Sequence, residues 1–487
     1  MAELIALDLR ALATFRIGLA CVVLADLWNR ATALEADYTD FGVLPRELAT
    51  QFAGPYSSWS LYMLRGDVAW PTTLFIVTAL AAVLLAVGWY TRLATIVVWL
   101  LLISLHFRND LLLDGGDAVL SGCLFWGMFL PLGADWSFDA RRRDSQAGTP
   151  SVASVATIAL VMLIFLVYFS SGFMKRGESW ENGTALFYAL NLEVYVSPLG
   201  RQLLQFPRIL PWLTYTVLYA ERYGIWLLWL PWFHVPLRTT LVMLGWLFHL
   251  SLILLLDLGV FPFVCLVAWI PLLPTPVWDA LTGRWSKLFN KSNTRQGPAS
   301  SVAPIPSPWR RRLGWLGQAA LLFVLYGVVM ANLTATFPNR FGNTRLIPTG
   351  LMNTIDALRL QQGWALYAPD PGERDGWFVA TGTLANGTLV DLWNPDQPPT
   401  DDKPNLNTYF KHQRWKRLGF LAVDSKYLPL RRALLEWLVR QWNRDVAKSP
   451  QEHVVRAELR YWIETTKADR TVPWIEIKLA EIDETEP

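Results

Sequence analysis

Apolar runs long enough to cross a bilayer constrain this chain more than any other feature. A hydrocarbon core of about 30 Å calls for about twenty apolar residues in a helix, and such stretches recur from the N-terminus to about Thr336. About nine candidate spans can be drawn, at 12–28, 71–89, 93–107, 118–132, 152–174, 210–233, 239–256, 260–273 and 313–334. The third, fourth and eighth are short, as expected of tilted or half-buried elements. Beyond them the chain reads as a soluble α+β domain. Two β-rich runs flank Asn386-Gly387, a hairpin signal, and Leu430–Trp442 has apolar residues at helical spacing. VVRAELRYWI alternates as a half-buried strand through Val455, Ala457, Leu459, Tyr461 and Ile463, and VPWIEIKL reads as another. The expected architecture is mainly α: a polytopic transmembrane helical bundle over residues 1–336, then an extracytoplasmic α+β domain over 337–487. No internal repeat is visible.

Composition agrees with this division. The 26 tryptophans include Trp28, Trp89, Trp136 and Trp278 near span ends, where interfacial belts form. A net charge of +3 gives no footing for nucleic acid. Cys21, Cys123 and Cys265 lie in separate apolar segments without a CxxC pair, so they read as buried structural residues rather than metal or redox ligands. The first apolar run follows Asp8 and Arg10 without a small-residue cleavage site and reads as retained.

Basic loops set the orientation. Arg141, Arg142 and Arg143 mark one cytoplasmic loop, and Arg284, Lys287, Lys291, Arg295 and Arg310–Arg312 mark another. Four candidate spans separate them, an even number, so both loops share a side. The N-terminus is then cytoplasmic and the C-terminal domain outside. The stretch 290–308, rich in Ser, Pro, Asn and Gly, reads as a flexible cytoplasmic linker. On the outer face this arrangement gathers the loop 29–70, the turn HFRNDLLLDGGD, the region of Lys175 and the start of the tail. Such convergence suits a site opening outward.

Lys175 is the sharpest chemical candidate. It ends the uncharged run Val152–Met174, in SSGFMKRGESW. At a bilayer edge a lysine is an anchor; packed inside protein it loses hydration and can become a base. The turn holding His106, Arg108, Asn109, Asp110, Asp114 and Asp117 is either a capped turn, with Asp117 capping the next helix, or the wall of a polar pocket. His249 lies within an apolar span, either bonded to a neighbouring helix or serving as a ligand or proton relay. Glu221 and Arg222 pair or mark a helix break, Asp257 is interfacial, and His412 and His453 are surface or core residues. No P-loop, GxSxG, HExxH or dinucleotide fingerprint is present.

The stretches FRIGLACVVLADL, YTDFGVLPR, HFRNDLLLDGGD, YFSSGFMKRGESWENGTALFYAL, FHLSLILLLDLGVFP and WALYAPDPGERDGWF resemble the HTTM (horizontally transferred transmembrane) family. These are bacterial membrane proteins similar to the vitamin K-dependent γ-glutamyl carboxylase. The resemblance implies a lysine base toward a reduced quinone, here Lys175. It implies a catalytic set with Asp117, which stands where the carboxylase has a histidine, and His249. His106, Arg108, Asn109 and Trp180 would bind the cofactor. The implied cofactor is menaquinol or vitamin K hydroquinone, with oxygen and carbon dioxide as co-substrates. The implied substrate is an extracytoplasmic protein, peptide or small molecule. The shorter tail matches no substrate-binding portion of the carboxylase. The competing expectation is a non-catalytic membrane scaffold whose outer domain binds an envelope or secreted partner; a transporter would call for inverted repeats.

Overall fold

The structure is a computed structural model that describes residues 2–52, 56–142, 150–288, 308–342, 347–361, 363–410, 412–467 and 473–483. Arg143 and the expected linker, including Lys291 and Arg295, lie outside the described residues, as do the side chains of Arg284, Lys287 and Arg310–Arg312.

The helical region comprises α1 (Leu9–Ala31), α2 (Ala69–Val87), α3 (Thr91–Arg108), α4 (Gly115–Gly127), α5 (Val155–Met174), α6 (Ala185–Asn191), α7 (Leu210–Arg222), α8 (His234–Leu255), α9 (Phe261–Trp269), α10 (Thr275–Leu288) and α11 (Pro308–Thr336). Six described helices are long and apolar enough to cross a membrane: α1, α2, α3, α5, α8 and the Gly314–Thr336 part of α11. The other three expected spans fall short of a full-length helix among the described residues. The sixth stretch ends as an α-helix at Arg222 and continues only as a 3-10 segment, Gly224–Trp229. The fourth is the 13-residue α4. The eighth bends by 96° between Leu272 and Thr275, at Pro271 and Pro274, which cannot donate to a helical ladder.

Local chemistry sets the helix ends. Asp8 caps α1 by accepting from Arg10 N. Ser154 and Thr157 form a reciprocal capping box on α5. Asp114, not Asp117, is the N-cap of α4; Asp117 sits at N3 and closes the box by accepting from Asp114 N at 2.9 Å. At one end of the bundle β1 (Leu7–Asp8) pairs with β2 (Ser151–Val152), Arg10 meets Asp279, and Arg238 reaches Leu4 O. At the opposite end lie the turn 108–117, Lys175 and the C-terminal domain. In α5, 83% of the apolar window is buried, against 28% in α8, which makes α5 the central helix. Two expectations about single residues fail. Cys21 is exposed on the outside of α1, whereas Trp278, expected in a belt, is buried against Trp136.

The C-terminal region has an antiparallel sheet in the order β4-β3-β5-β6, with β3 (Arg374–Leu384), β4 (Leu389–Asp391), β5 (Val454–Thr465) and β6 (Ile475–Asp483). Gly387, at φ +83°, supplies the left-handed residue of the expected hairpin. Helices α12 (Trp415–Val423) and α13 (Leu428–Asp445) cover the sheet with Trp415, Trp437 and Trp442. That core also takes in Val43, Leu44, Leu111 and Leu112 from loops of the helical region.

An ionic cluster joins the two regions. Arg414, just before α12, donates to Asp26 at 2.6 Å and Asp117 at 2.7 Å, while Arg30 reaches Asp26 at 2.7 Å and Asp117 at 2.5 Å. Two cations thus face two carboxylates, all buried. Alongside, Asp37 accepts the Trp415 indole N–H at 2.9 Å. Burial pushes Asp37 up to about 7, against the pull of that bond and of nearby arginines. Burial and the neighbouring Asp117 charge push Asp114 up to about 6.

Removing one partner from a buried ion pair costs about 3–5 kcal/mol, because the other charge stays unpaired. Arg414→Met is therefore expected to lower the thermal unfolding midpoint in detergent by several degrees. Arg432→Met, whose side chain is 73% exposed, should stay within about 0.5 kcal/mol of wild type. Equal midpoints for the two variants would contradict the cluster's role.

Candidate functional site

The last turns of α5 set the site. Tyr168, Ser171 and Lys175 follow one another at spacings of three and four, so they share a helix face. Gly172 lets α7 approach: a Cβ there would lie 2.7 Å from Arg222 N. This close approach brings Glu221 to Lys175. The ammonium donates to Glu221 Oε2 and to Ser171 Oγ, the latter at 2.6 Å. Arg222, the last residue of α7, turns back to donate to Gly172 O at 2.7 Å and to Lys175 O. The Trp180 ring lies 5.1 Å from Lys175 Nζ, a cation–π distance, and its indole N–H is held by Tyr367 O at 2.9 Å.

Lys175 is only 3% exposed. It sits one residue beyond the span, where burial lowers its pKa from the ordinary lysine value and the Glu221 carboxylate opposes the shift. Of the two readings of Lys175, a solvent-facing anchor does not match this burial.

Lys175, Glu221 and Ser171 stand in the wall of a cavity of about 390 Å³, within the roughly 300–1,000 Å³ range of small-molecule sites. Most of its lining is apolar, with Val167 from α5, Leu186 and Ala189 from α6, Leu213 and Val217 from α7, and Phe248, Leu252 and Leu256 from α8 and its end. Further polar groups are few: Tyr168, His249, Asp114, Tyr195, Thr214 and a set from the tail. The tail supplies Ala365, Leu366 and Tyr367 on one strand of chain and Gln413, Arg414 and Arg417 on another. It is stitched down beside the cavity, where Asp370 accepts from Ser179 N at 2.9 Å and Asp375 accepts from Glu193 N at 2.6 Å.

Of the residues singled out from sequence, Lys175, His249 and Trp180 meet at this cavity. Asp117, His106, Arg108 and Asn109 do not line it. Asp117 spends its oxygens on Arg30, Arg414 and the α4 cap. His106 lies behind it, 3.4 Å from Asp117 Oδ1 and 3.3 Å from Ser121 Oγ. Arg108 donates to Leu44 O at 2.8 Å, within the YTDFGVLPR loop, and Asn109 to Asp37 O at 3.1 Å, just before it. Sequence reasoning gathered the start of the tail on this face but missed Tyr168 and the second tail segment, Gln413 to Arg417. Tyr168 carries a signal, since it precedes Lys175 by seven residues on one face; the 413–417 contacts carry none, because they span long sequence separations. A broader groove on the sheet, lined by Arg432, Glu436, Arg440 and Asp483, is a charged outer face whose acids pair with neighbouring arginines.

The fold and site define a helical membrane protein with a buried lysine–carboxylate pair facing an apolar cavity. The chain belongs to the HTTM family: the profile of the HTTM domain matches residues 6–278, more than half of it and including α1 through α9. Neither the curated proteins nor the solved structures compared with the chain gave a match.

The pair makes a pH prediction. With burial lowering the lysine pKa and Glu221 raising it, Glu221→Gln removes the raising influence alone. Amine modification of Lys175, followed across pH by mass spectrometry of its peptide, should show a half-point below the ordinary value of about 10.4. In Glu221→Gln the half-point should move lower still. A half-point at the ordinary lysine value in both proteins would contradict the burial account.

Proposed function

We propose that this protein is an enzyme of the membrane in which Lys175 acts as a base toward a reduced quinone, to modify a substrate outside the cytoplasm. The observation that carries the reading is the Lys175–Glu221 pair in the wall of a largely apolar cavity. A flat apolar ring fits walls made of Leu213, Val217, Leu252 and Leu256. A hydroxyl of such a ring fits the end where Lys175, Ser171 and Trp180 stand. Bound there, a hydroquinone such as menaquinol or vitamin K hydroquinone would supply an acidic O–H and, with oxygen, a base strong enough to deprotonate carbon.

The chain's own groups have defined tasks. Burial eases loss of the proton from the paired Lys175 ammonium; the neutral amine so formed accepts a proton, and the Glu221 carboxylate stabilises the ammonium that results. Ser171 fixes the direction of Nζ, and Trp180 covers it. The apolar walls keep water from the base, which strengthens each electrostatic contact. Asp117 enters as the anchor of Arg414 in the cavity wall, and His106, Arg108 and Asn109 as supports of the turn behind it. Carbon dioxide as co-substrate would make the reaction a carboxylation of a protein, peptide or small molecule.

Nine passes, with the N-terminus cytoplasmic and the tail outside, complete the proposal. In support, α4, α7 with its 3-10 continuation, and α9 each return the chain between the two polar ends of the bundle, although none is a full-length span. The helical region 1–336 would then hold the site, with 337–487 as an outer domain that closes it.

Purified protein given menaquinol should consume oxygen, and Lys175→Ala should lose at least about a hundredfold of that rate, the low end for a general base. An oxygen electrode reads both. Equal uptake by the two proteins would remove the base and leave a membrane scaffold.

A further inference from the structure

The cavity has a second polar point two helical turns along α5 from Lys175, about 10 Å of rise. There Trp269 Nε1–H donates to Tyr168 Oη at 2.6 Å, and Tyr168 Oη lies 2.6 Å from His249 Nε2. Tyr168 and His249 both line the cavity. His249 is fully buried, and its Nδ1 has no hydrogen-bond partner among the described residues.

Proton counting sets the tautomer. The Tyr168 oxygen already accepts from Trp269, and among the described residues its own O–H has no acceptor but His249 Nε2. If Nε2 carried the histidine proton, both the Tyr168 O–H and the Nδ1 lone pair would be without a partner among the described residues. If Tyr168 donates to Nε2, the one group left over is the Nδ1–H, the smaller number of unmet groups, so the neutral imidazole carries its proton on Nδ1 and holds it free for a ligand. The indole is seated for this by Gly245, one turn before His249: a Cβ there would lie 2.6 Å from Trp269 Nε1.

We infer that the Trp269–Tyr168–His249 chain fixes His249 as an Nδ1–H donor to an acceptor oxygen of the cavity's ligand, with Tyr168 and Trp269 as positioning residues. The ligand class is a ring bearing two oxygens, one for the Lys175–Glu221 end and one for His249. The ligand class rests on the quinone reading above, whereas the tautomer does not.

The test therefore has two readouts. The chain has five histidines, so a long-range ¹H–¹⁵N correlation spectrum of histidine-labelled protein is tractable, with His249→Gln identifying the signal. His249 should show the Nδ1–H form in wild type and a mixture of forms in Tyr168→Phe. Binding of menadione, followed by tryptophan fluorescence quenching, should weaken roughly three- to tenfold in His249→Leu, the loss of one hydrogen bond. Tyr168→Phe should weaken it similarly, and His249→Gln, which keeps an N–H donor, should recover most of it. A proton on Nε2 in wild type overturns the inference, and so does equal menadione binding by wild type and His249→Leu. Wild-type protein with the Nδ1–H form that binds no menadione overturns the ligand assignment, and it does so separately from any result on Lys175 and oxygen uptake.

Discussion

A lysine and a glutamate shut away from water at the end of a central helix can only be kept there together. Neither Lys175 nor Glu221 is tolerable alone at its depth, since an isolated charge taken out of water costs several kcal/mol. Their meeting depends on Gly172, where α5 and α7 come too close for a side chain. From this one contact the rest of the site follows. Arg222, at the end of α7, donates to the carbonyls of Gly172 and Lys175, and Trp180 is set over the ammonium. The face of α5 that carries Lys175 also carries Tyr168 toward His249.

The C-terminal region is part of the same construction. It reaches the helical bundle through Arg414, which completes a balanced set of two arginines and two aspartates in a buried position. Arg414 also stands in the cavity wall, as do Tyr367 and Arg417. Asp370 and Asp375 hold the backbone of the 177–196 segment from above. A domain that looks appended along the sequence therefore closes the site in space. The proposed base is screened from water by residues nearly two hundred positions away in the chain.

The apolar runs made the membrane character legible, and the hairpin at Asn386-Gly387, the helix around Leu430–Trp442 and the strand at Val454–Thr465 were readable from turn chemistry and periodicity. Where the spans proved broken, hydrophobicity alone could not tell a continuous helix from a bent one. The eighth stretch ends in a bend beside Pro271 and Pro274, and the sixth passes from α-helix to a 3-10 segment after Arg222. Lys175 and His249 could be named from their placement in apolar segments, because a polar side chain there needs a reason. The turn at His106–Asp117 was read as a pocket wall or a capped turn. Its residues are buried polar groups that bond to one another and to loops, and sequence does not distinguish a polar group satisfied by protein from one offered to a ligand. Asp117 illustrates the point, with both oxygens engaged by arginines that lie far from it in the chain. The tautomer chain through Trp269 was invisible for the same reason, since Tyr168, His249 and Trp269 come from three helices.

The account stands on the cavity beside Lys175 being the place where a lipid-soluble ring rests. A photoreactive azido-menaquinone, cross-linked to the protein in lipid nanodiscs and mapped by mass spectrometry, addresses this directly. The account predicts label concentrated on the end of α5, on α8 near His249 and on the tail segment 365–367, and displaced by excess menaquinone. Label spread evenly over the lipid-facing sides of α2 and α11, undiminished by competitor, would contradict it.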